Sequence, residues 1–304
     1  MSFELTILGC GSATPTLSRN PTAQHIRIGS SEFLIDCGEG AQLQMLKLRL
    51  KINKLKAIFI SHLHGDHFFG LPGLLSTMHL MGRRNKLTLF GPPALAGILE
   101  QIFAASETEL KYPLEFIPTN PDQKELLVDT STFTIHSFPL NHRIPCTGFL
   151  FKEKQRPRNI RRDVITQLQV PIGQMKAIKA GADYVKENGQ IIPNSDLTFP
   201  PSPSVSYAFC SDTAPDIRLA SFIQGVDWLY HEATFLNELE NRAIDTFHST
   251  TIQAANTANQ VEAKHLIIGH YSSRYGQIED LRLEVEALFP NVYTAEDGKI
   301  FPIV

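Results

Sequence analysis

Ser61-His62-Leu63-His64-Gly65-Asp66-His67 constrains this chain more than any other stretch. It sets three imidazoles and a carboxylate within six positions, directly after the apolar run Ala57-Ile58-Phe59-Ile60. A short apolar run of this kind reads as a buried strand. The polar groups therefore leave a rigid strand end and enter a tight turn, where Gly65 suits a backbone conformation that a larger residue resists. His62 and His64 are two apart, so an extended backbone points them the same way. Asp66 and His67 follow the bend and face a neighbouring point. Such a supply of nitrogen and oxygen donors fits two metal ions a few ångströms apart. A lone histidine is ordinarily a surface or core residue, but this concentration of donors is hard to explain as structure alone.

The rest of the chain repeats the pattern of chemistry at strand ends. Phe133 to Phe138 leads to Pro139-Leu140-Asn141-His142, Val205 to Phe209 leads to Cys210-Ser211-Asp212, and His265 to Ile268 leads to Gly269-His270. Ligand sites in α/β sheets lie at such carboxyl ends. The donors then sort into His62, His64 and His142 for one ion and Asp66, His67 and His270 for the other. Asp212 can bridge them, because a carboxylate has two oxygens. Between these strands, helical spacing is expected over Ala41–Leu50 (Leu43, Leu46 and Leu50 on one face), Gly70–Met81 and Ala94–Ala105. The alternation of strands and helices predicts an α/β fold. The Gly9-Cys10-Gly11-Ser12 turn reads either as a phosphate cradle or as a plain loop. Asp36, at another strand end, reads either as a group that orients a metal-bound histidine from behind or as a helix cap.

Two further elements bear on function. The strand Val226–Tyr230 runs into His231-Glu232-Ala233-Thr234, and His248-Ser249-Thr250 precedes a helix over Ile252–Asn259. His248 at a helix N-terminus reads as a general acid or phosphate contact oriented by Glu232, or equally as capping chemistry. The second element is Lys152 to Arg162, which carries Lys152, Lys154, Arg156, Arg158, Arg161 and Arg162 against the single acid Glu153. In a chain of net charge −3 this is the local basic surface a polyanion would need, unless it is merely a solvated loop. It should protrude from the body. Cys10, Cys37, Cys146 and Cys210 show no C-x-x-C pairing, so each is expected to be a small buried residue. No apolar run approaches a membrane span, and the N-terminus lacks a basic region followed by an apolar core, so a cytoplasmic protein is expected.

The motif His62-x-His64-x-Asp66-His67, followed by His142, Asp212 and His270, resembles the metallo-β-lactamase superfamily. Within it the chain is similar to the tRNase Z (ribonuclease Z) branch, short form, over essentially its full length. The resemblance runs through Leu8 to Ala13, Asp36 to Gly40, Ser61 to Gly73, Phe90-Gly91-Pro92, Ser211-Asp212-Thr213, His231 to Thr234, His248-Ser249-Thr250 and Gly269 to Tyr275. It implies a four-layer αβ/βα sandwich in a single domain spanning all 304 residues, with a tRNA-binding arm inserted at about residues 152–170. It implies an endoribonuclease that removes the 3′ trailer from precursor tRNA and leaves a 3′-OH on the tRNA and a 5′ phosphate on the trailer. Two Zn²⁺ ions per subunit, or Mn²⁺ or another divalent ion, would supply activated water. Asp66 would bind metal and accept a proton, and His248 supported by Glu232 would protonate the leaving 3′ oxygen. The basic run and Arg274 would contact RNA, often across a homodimer, for which leucines on the first two helices offer a face if they are not core.

Two other functions compete. A small-molecule phosphodiesterase, thioesterase or lactamase would share the metal site, since fold does not fix function; relative turnover of precursor tRNA and small esters separates it. An inactive metal-stabilised RNA-binding protein would bind without cutting in the presence of metal.

Overall fold

A computed structural model describes residues 2–304. The apolar runs anticipated as strands assemble into two sheets of seven strands each. The first has the spatial order Ile300–Pro302, Phe3–Gly9, Ala23–Ile28, Ser31–Ile35, Leu55–Phe59, Leu87–Gly91 and Leu114–Pro118. Its first pairs are antiparallel, and pairing turns parallel from Ser31–Ile35 onward. The second runs Val292–Thr294, His265–Gly269, Trp228–Glu232, Ser206–Cys210, Thr147–Glu153, Phe133–Pro139 and Glu125–Asp129. Its strands from Ser206 to Thr294 are parallel, so their carboxyl ends share one edge.

The sheets meet through aromatic side chains. Phe59 stacks on Phe90 at 4.8 Å between ring centroids and packs against Phe149 and Phe151 from the facing sheet at 5.3 and 5.6 Å. Tyr207 donates its hydroxyl hydrogen to Gln24, a polar tie between the two layers in an otherwise apolar interior. Helices Ala41–Lys47, Leu71–Leu80 and Ala94–Ala105 cover the first sheet, with Met45, Leu74, Met78 and Leu99 packed in one cluster with Leu34, Ile58 and Leu89. Helices Thr251–Gln260 and Glu279–Glu286 lie on the second sheet through Ala254, Ala258, Leu281 and Val285. Helix, sheet, sheet and helix make the four layers expected of a metallo-β-lactamase fold. Among the described residues no helix is long and apolar enough to cross a membrane.

The first helix departs from its sequence reading. It ends at Lys47, and Leu43 and Leu46 are exposed while Ala41 and Met45 face inward. The four-residue step from Ala41 to Met45 selects the buried side, so the leucines at 43 and 46 fall on the other side. All four cysteines are free and buried, as expected of small apolar residues.

By internal contacts the chain forms two compact units, one of Met1–Val128, Ile135–Phe151 and Ser206–Val304, the other of Asp129–Thr134 and Lys152–Val205. The second has its own small core of Val170, Ile178 and Leu197, with Val164, Met175 and Tyr184 packed on it. Buried Asn194 donates from Nδ2 to the carbonyls of Ile178 and Ala182 at 2.8 and 2.7 Å, which ties this core together with polar bonds.

Because Phe59 joins both sheets, Phe59→Ala should lower stability by about 3–5 kcal/mol. A urea titration followed by tryptophan fluorescence or circular dichroism reads this, and Phe59→Leu should lose much less.

Candidate metal centre

The ends of four strands, Leu55–Phe59, Phe133–Pro139, Ser206–Cys210 and His265–Gly269, and the helical turn Gly65–Phe68 bring the donors to one place. Asp36, Asp212 and His270 each follow a strand in the left-handed backbone region, with φ of 53, 60 and 58°. A non-glycine residue rarely adopts this conformation, and here it turns the side chain across the strand end toward the centre. Gly65 does not take the left-handed conformation that would call for glycine; a Cβ there would instead overlap the ring of Phe69, which would have to shift.

Within one group, His62 Nε2 and His142 Nε2 stand 3.0 and 3.1 Å from His64 Nδ1. Asp212 Oδ2 lies 3.6 Å from His62 Nε2 and 3.8 Å from His142 Nε2. In the other group, His67 Nε2 and His270 Nε2 are each 3.6 Å from Asp66 Oδ2 and 3.0 Å from Asp212 Oδ1. Asp212 therefore presents one oxygen to each group. The residues assigned to the two ions, His62, His64, His142 and Asp212, and Asp66, His67 and His270, each form a cluster of metal-competent atoms.

These donors fit divalent metal. Two nitrogens on a tetrahedral zinc, at about 2.1 Å each, stand roughly 3.4 Å apart, close to the spacing of these imidazoles. His67 Nε2 and His270 Nε2 are buried and make no hydrogen bond, although Asp212 is near. Burial holds the imidazoles of His62, His64 and His142 below their ordinary pKa, which keeps them neutral as ligands must be. Burial also opposes a charge on His67, yet Asp212, Asp66 and Asp36 around it raise its pKa well above the usual value. The pocket's field favours positive charge at that point, as a cation site requires.

The nitrogens that face away from the centre are held in turn. Asp36 Oδ2 is 2.7 Å from His67 Nδ1, and its carboxylate also accepts from the amide and hydroxyl of Ser61 at 2.7 and 2.9 Å. Of the two readings of Asp36, its bond to His67 favours the orienting one. His142 Nδ1 donates to the carbonyl of Phe247 at 3.0 Å, and His270 Nδ1 is 3.0 Å from Thr234 Oγ1. Thr234 in turn donates to Glu232 Oε2 at 2.5 Å. The Gly-rich N-terminal turn reaches the site through Ala13, whose amide donates to Asp66 Oδ2 at 2.8 Å.

Glu232 is fully buried and joins this network to His248. Its Oε1 accepts from the Thr213 amide at 2.6 Å and from His248 Nδ1 at 2.9 Å, and its Oε2 accepts from the Ser249 amide at 3.1 Å. Burial resists charge on both partners, but each stabilises the other: Glu232 falls below the ordinary carboxylate range and His248 rises to about 9. His248 is thus held through Nδ1 and lines the cleft. The helix cap is Thr250, which accepts from the Gln253 amide, so capping does not occupy His248. The cleft holds about 540 Å³ and is lined by Ser12, Asp66, Phe69, Arg143, His248 and His270 among others.

The basic run lies in the second unit, where several of its charges have local partners. Lys154 pairs with Asp129, Arg156 with Glu153 at 2.8 Å, Arg158 Nε donates to Thr198 Oγ1 at 2.7 Å, and the Arg161 guanidinium lies over the Phe199 ring at 5.4 Å. Lys152 and Arg162 are exposed. Arg156 and Arg158 line a cleft of about 930 Å³ together with Lys176 and Lys179, two cations that the sequence reading passed over. Their sign was their spacing, three residues apart on the helix Met175–Lys179. Arg274 is exposed near the metal-centre cleft, its guanidinium 5.2 Å from the centroid of Phe235, whose ring neighbours His248.

Known proteins share this architecture. Residues 3–155 match the family model described as anti-Pycsar protein Apyc1, a span that holds five of the donors and stops before Asp212 and His270. The ribonuclease Z of Parabacteroides distasonis is 43% identical over 97% of this chain and 97% of its own length. The crystal structure of human tRNase Z, short form, superposes with a TM-score of 0.71 at 27% identity, covering 99% of both chains. The metallo-β-lactamase fold protein YhfI of Bacillus subtilis shares the fold, with a TM-score of 0.70 at 18% identity over 99% of each chain.

If Asp212 serves both groups, Asp212→Ala should deplete bound metal more deeply than His64→Ala, which removes a donor from one group alone. Metal content after reconstitution with Zn²⁺ and gel filtration, read by atomic emission, checks the order.

Proposed function

The chain belongs to the ribonuclease Z family and, through residues 3–155, to the family described as anti-Pycsar protein Apyc1; from that premise we propose a metal-dependent endoribonuclease that removes the 3′ trailer from precursor tRNA. The carrying observation is the buried Glu232–His248 pair beside a full His/Asp cluster, in a chain that matches its ribonuclease Z relative from end to end.

We assign the metals as two Zn²⁺ per subunit, which would be held by His62, His64 and His142 and by Asp66, His67 and His270, with Asp212 offering one oxygen to each group. Bound there, such ions would supply Lewis acidity that lowers the pKa of water toward neutral and offsets negative charge on the phosphate. The chain's own residues do the rest. Asp66 is fixed by the Ala13 amide on Oδ2 and takes up the proton of the attacking water. His248 carries a proton on Nε2 toward the cleft, and Glu232 holds that ring from Nδ1. Donation of this proton to the 3′ oxygen of the last tRNA nucleotide releases a 3′-OH, and the phosphate leaves on the trailer. Lys152 to Arg162, with Lys176 and Lys179, supplies cationic surface for the tRNA body in the inserted arm, which we extend over the unit Lys152–Val205. A homodimer is supported by the exposed Leu43, Leu46, Leu80 and Met81 on neighbouring helices. A cytoplasmic location suits the free cysteines.

An end-labelled precursor tRNA should be cut once beside the discriminator nucleotide, the cut being lost on chelation and restored by Zn²⁺. Bound metal with hydrolysis of a small phosphodiester but no cut in precursor tRNA would move the function to small substrates. A second measurement isolates His248. RNA departs as a poor alkoxide leaving group and p-nitrophenolate as a good one, so His248→Ala should slow RNA cleavage about 100-fold or more relative to its effect on bis(p-nitrophenyl) phosphate. Equal loss on both substrates would deny it the general-acid role.

A further inference from the structure

Two residues at the mouth of the cleft have no part in the metal centre or the proton relay. Phe69 follows the helical turn that carries Asp66 and His67, and 67% of its surface is exposed. Its ring lies so close over Gly65 that a Cβ there would overlap it, and the ring of Phe68 backs it edge-on at 5.0 Å. An exposed aromatic held in place against glycine backbone, beside a site that cuts a polynucleotide, presents a flat apolar face to a base. Arg143 follows His142 directly and is exposed, with one guanidinium nitrogen 3.3 Å from His64 Nε2. It makes no salt bridge among the described residues.

The contact between Arg143 and His64 cannot survive in the loaded site. His64 converges on His62 and His142 through Nδ1, so that nitrogen is the ligand. A neutral imidazole that ligates through Nδ1 carries its hydrogen on Nε2. The guanidinium also offers only donors, so two donors would then face each other. Arg143 must turn to an acceptor. Next to a cationic centre, an anion is the partner that lowers the energy of both, and a phosphodiester oxygen matches the planar guanidinium fork.

We propose that Arg143, which touches His64, and Phe69, whose ring lies over Gly65, form a nucleotide clamp at the cleft, Arg143 holding a backbone phosphate oxygen and Phe69 stacking on the base next to the scissile bond. The clamp rests on the ribonuclease reading and adds to it the grip on the reacting nucleotide itself, separate from the distant body of the tRNA. It reads no base edge, so it tolerates any base at that position.

The test uses the zinc-loaded protein and a tRNA that ends at the discriminator, with 2-aminopurine as that last base. This product binds without being cut. Stacking on Phe69 should quench the fluorophore; Phe69→Ala should remove the quench and weaken binding about 5-fold or more, and Phe69→Trp should keep both. Arg143→Ala should weaken binding and reduce the slope of log Kd against log salt by about one. Metal content and circular dichroism confirm that each variant is folded and loaded. An unchanged quench in Phe69→Ala, or an unchanged salt slope in Arg143→Ala, would overturn the clamp. So would a fall in particle mass by light scattering for Phe69→Ala, which would make the ring a contact between copies. Wild-type cleavage of precursor tRNA is measured alongside: its absence removes the ribonuclease reading and the clamp with it, whereas normal cleavage with unaltered variants removes the clamp alone.

Discussion

Everything in the centre depends on buried carboxylates that could not remain charged without their partners. Asp212 sits in the interior with a carboxyl held far below its usual range: burial works against the charge, and His270, His67 and His62 outweigh it. Its two oxygens face two sets of imidazoles, so its orientation sets the spacing of both. Glu232 has the same character one layer further out. It accepts from two backbone amides, a threonine hydroxyl and His248, which fills its acceptor sites in a place water does not enter. Loss of any one donor would leave a buried charge under-bonded, a change more costly than the loss of an ordinary surface bond. The network therefore behaves as one unit. The residue that orients His248 also reaches, through Thr234, the histidine that closes the metal cluster.

The backbone accepts strain to achieve this. Ala13, Asp36, Asp212 and His270 all have positive φ, and all touch the centre. Such conformations cost about 1–3 kcal/mol each. Elsewhere the positive-φ residues include Arg49 and Phe247, which end helices, where this conformation is common. At the strand ends no such rule applies, and the surrounding hydrogen bonds hold the bend. Phe247 connects the two cases, because its helix-ending carbonyl accepts from His142 Nδ1.

The parts of the site that could be read from the chain alone are those where chemistry follows sequence distance. His62, His64, Asp66 and His67 are close in the chain, and His142, Asp212 and His270 repeat one placement, each just beyond a core strand. For Asp212 and His270 the parallel strands Ser206–Cys210 and His265–Gly269, with a common carboxyl edge, convert that repetition into proximity, and His142 joins them from the end of Phe133–Pro139 in the same sheet. What escaped depends on contacts between distant segments. Nothing in Thr234 as a residue type marks it as the link from His270 to Glu232, and the Ala13 amide carries no side-chain signal. Gly65 was legible as a special position but not for the right cause, because the ring that a Cβ there would meet comes four residues later. Charge density in Lys152–Arg162 suggested free cations, whereas Arg156 and Arg158 are half-buried and bonded within their own unit. A run of like charges shows where a polyanion could bind; it does not show which side chains remain free to bind it.

This difference bears on how one metal site serves many reactions. A His/Asp cluster activates water and receives a phosphoryl oxygen, and nothing in that geometry selects RNA over a small diester. The selection lies in groups that cannot ligate metal. In the general-acid role proposed for it, His248 would matter in proportion to the basicity of the leaving oxygen and so favour a ribose alkoxide over an activated phenolate. Cations in the second unit would favour a polyanion over a small ester. Phe69 and Arg143 act between these scales, on a single nucleotide. Binding energy from such groups, spent on the correct placement of one phosphorus atom, is how a nuclease would gain rate over a generic esterase. The metal centre sets the reaction, and the groups around it set the substrate.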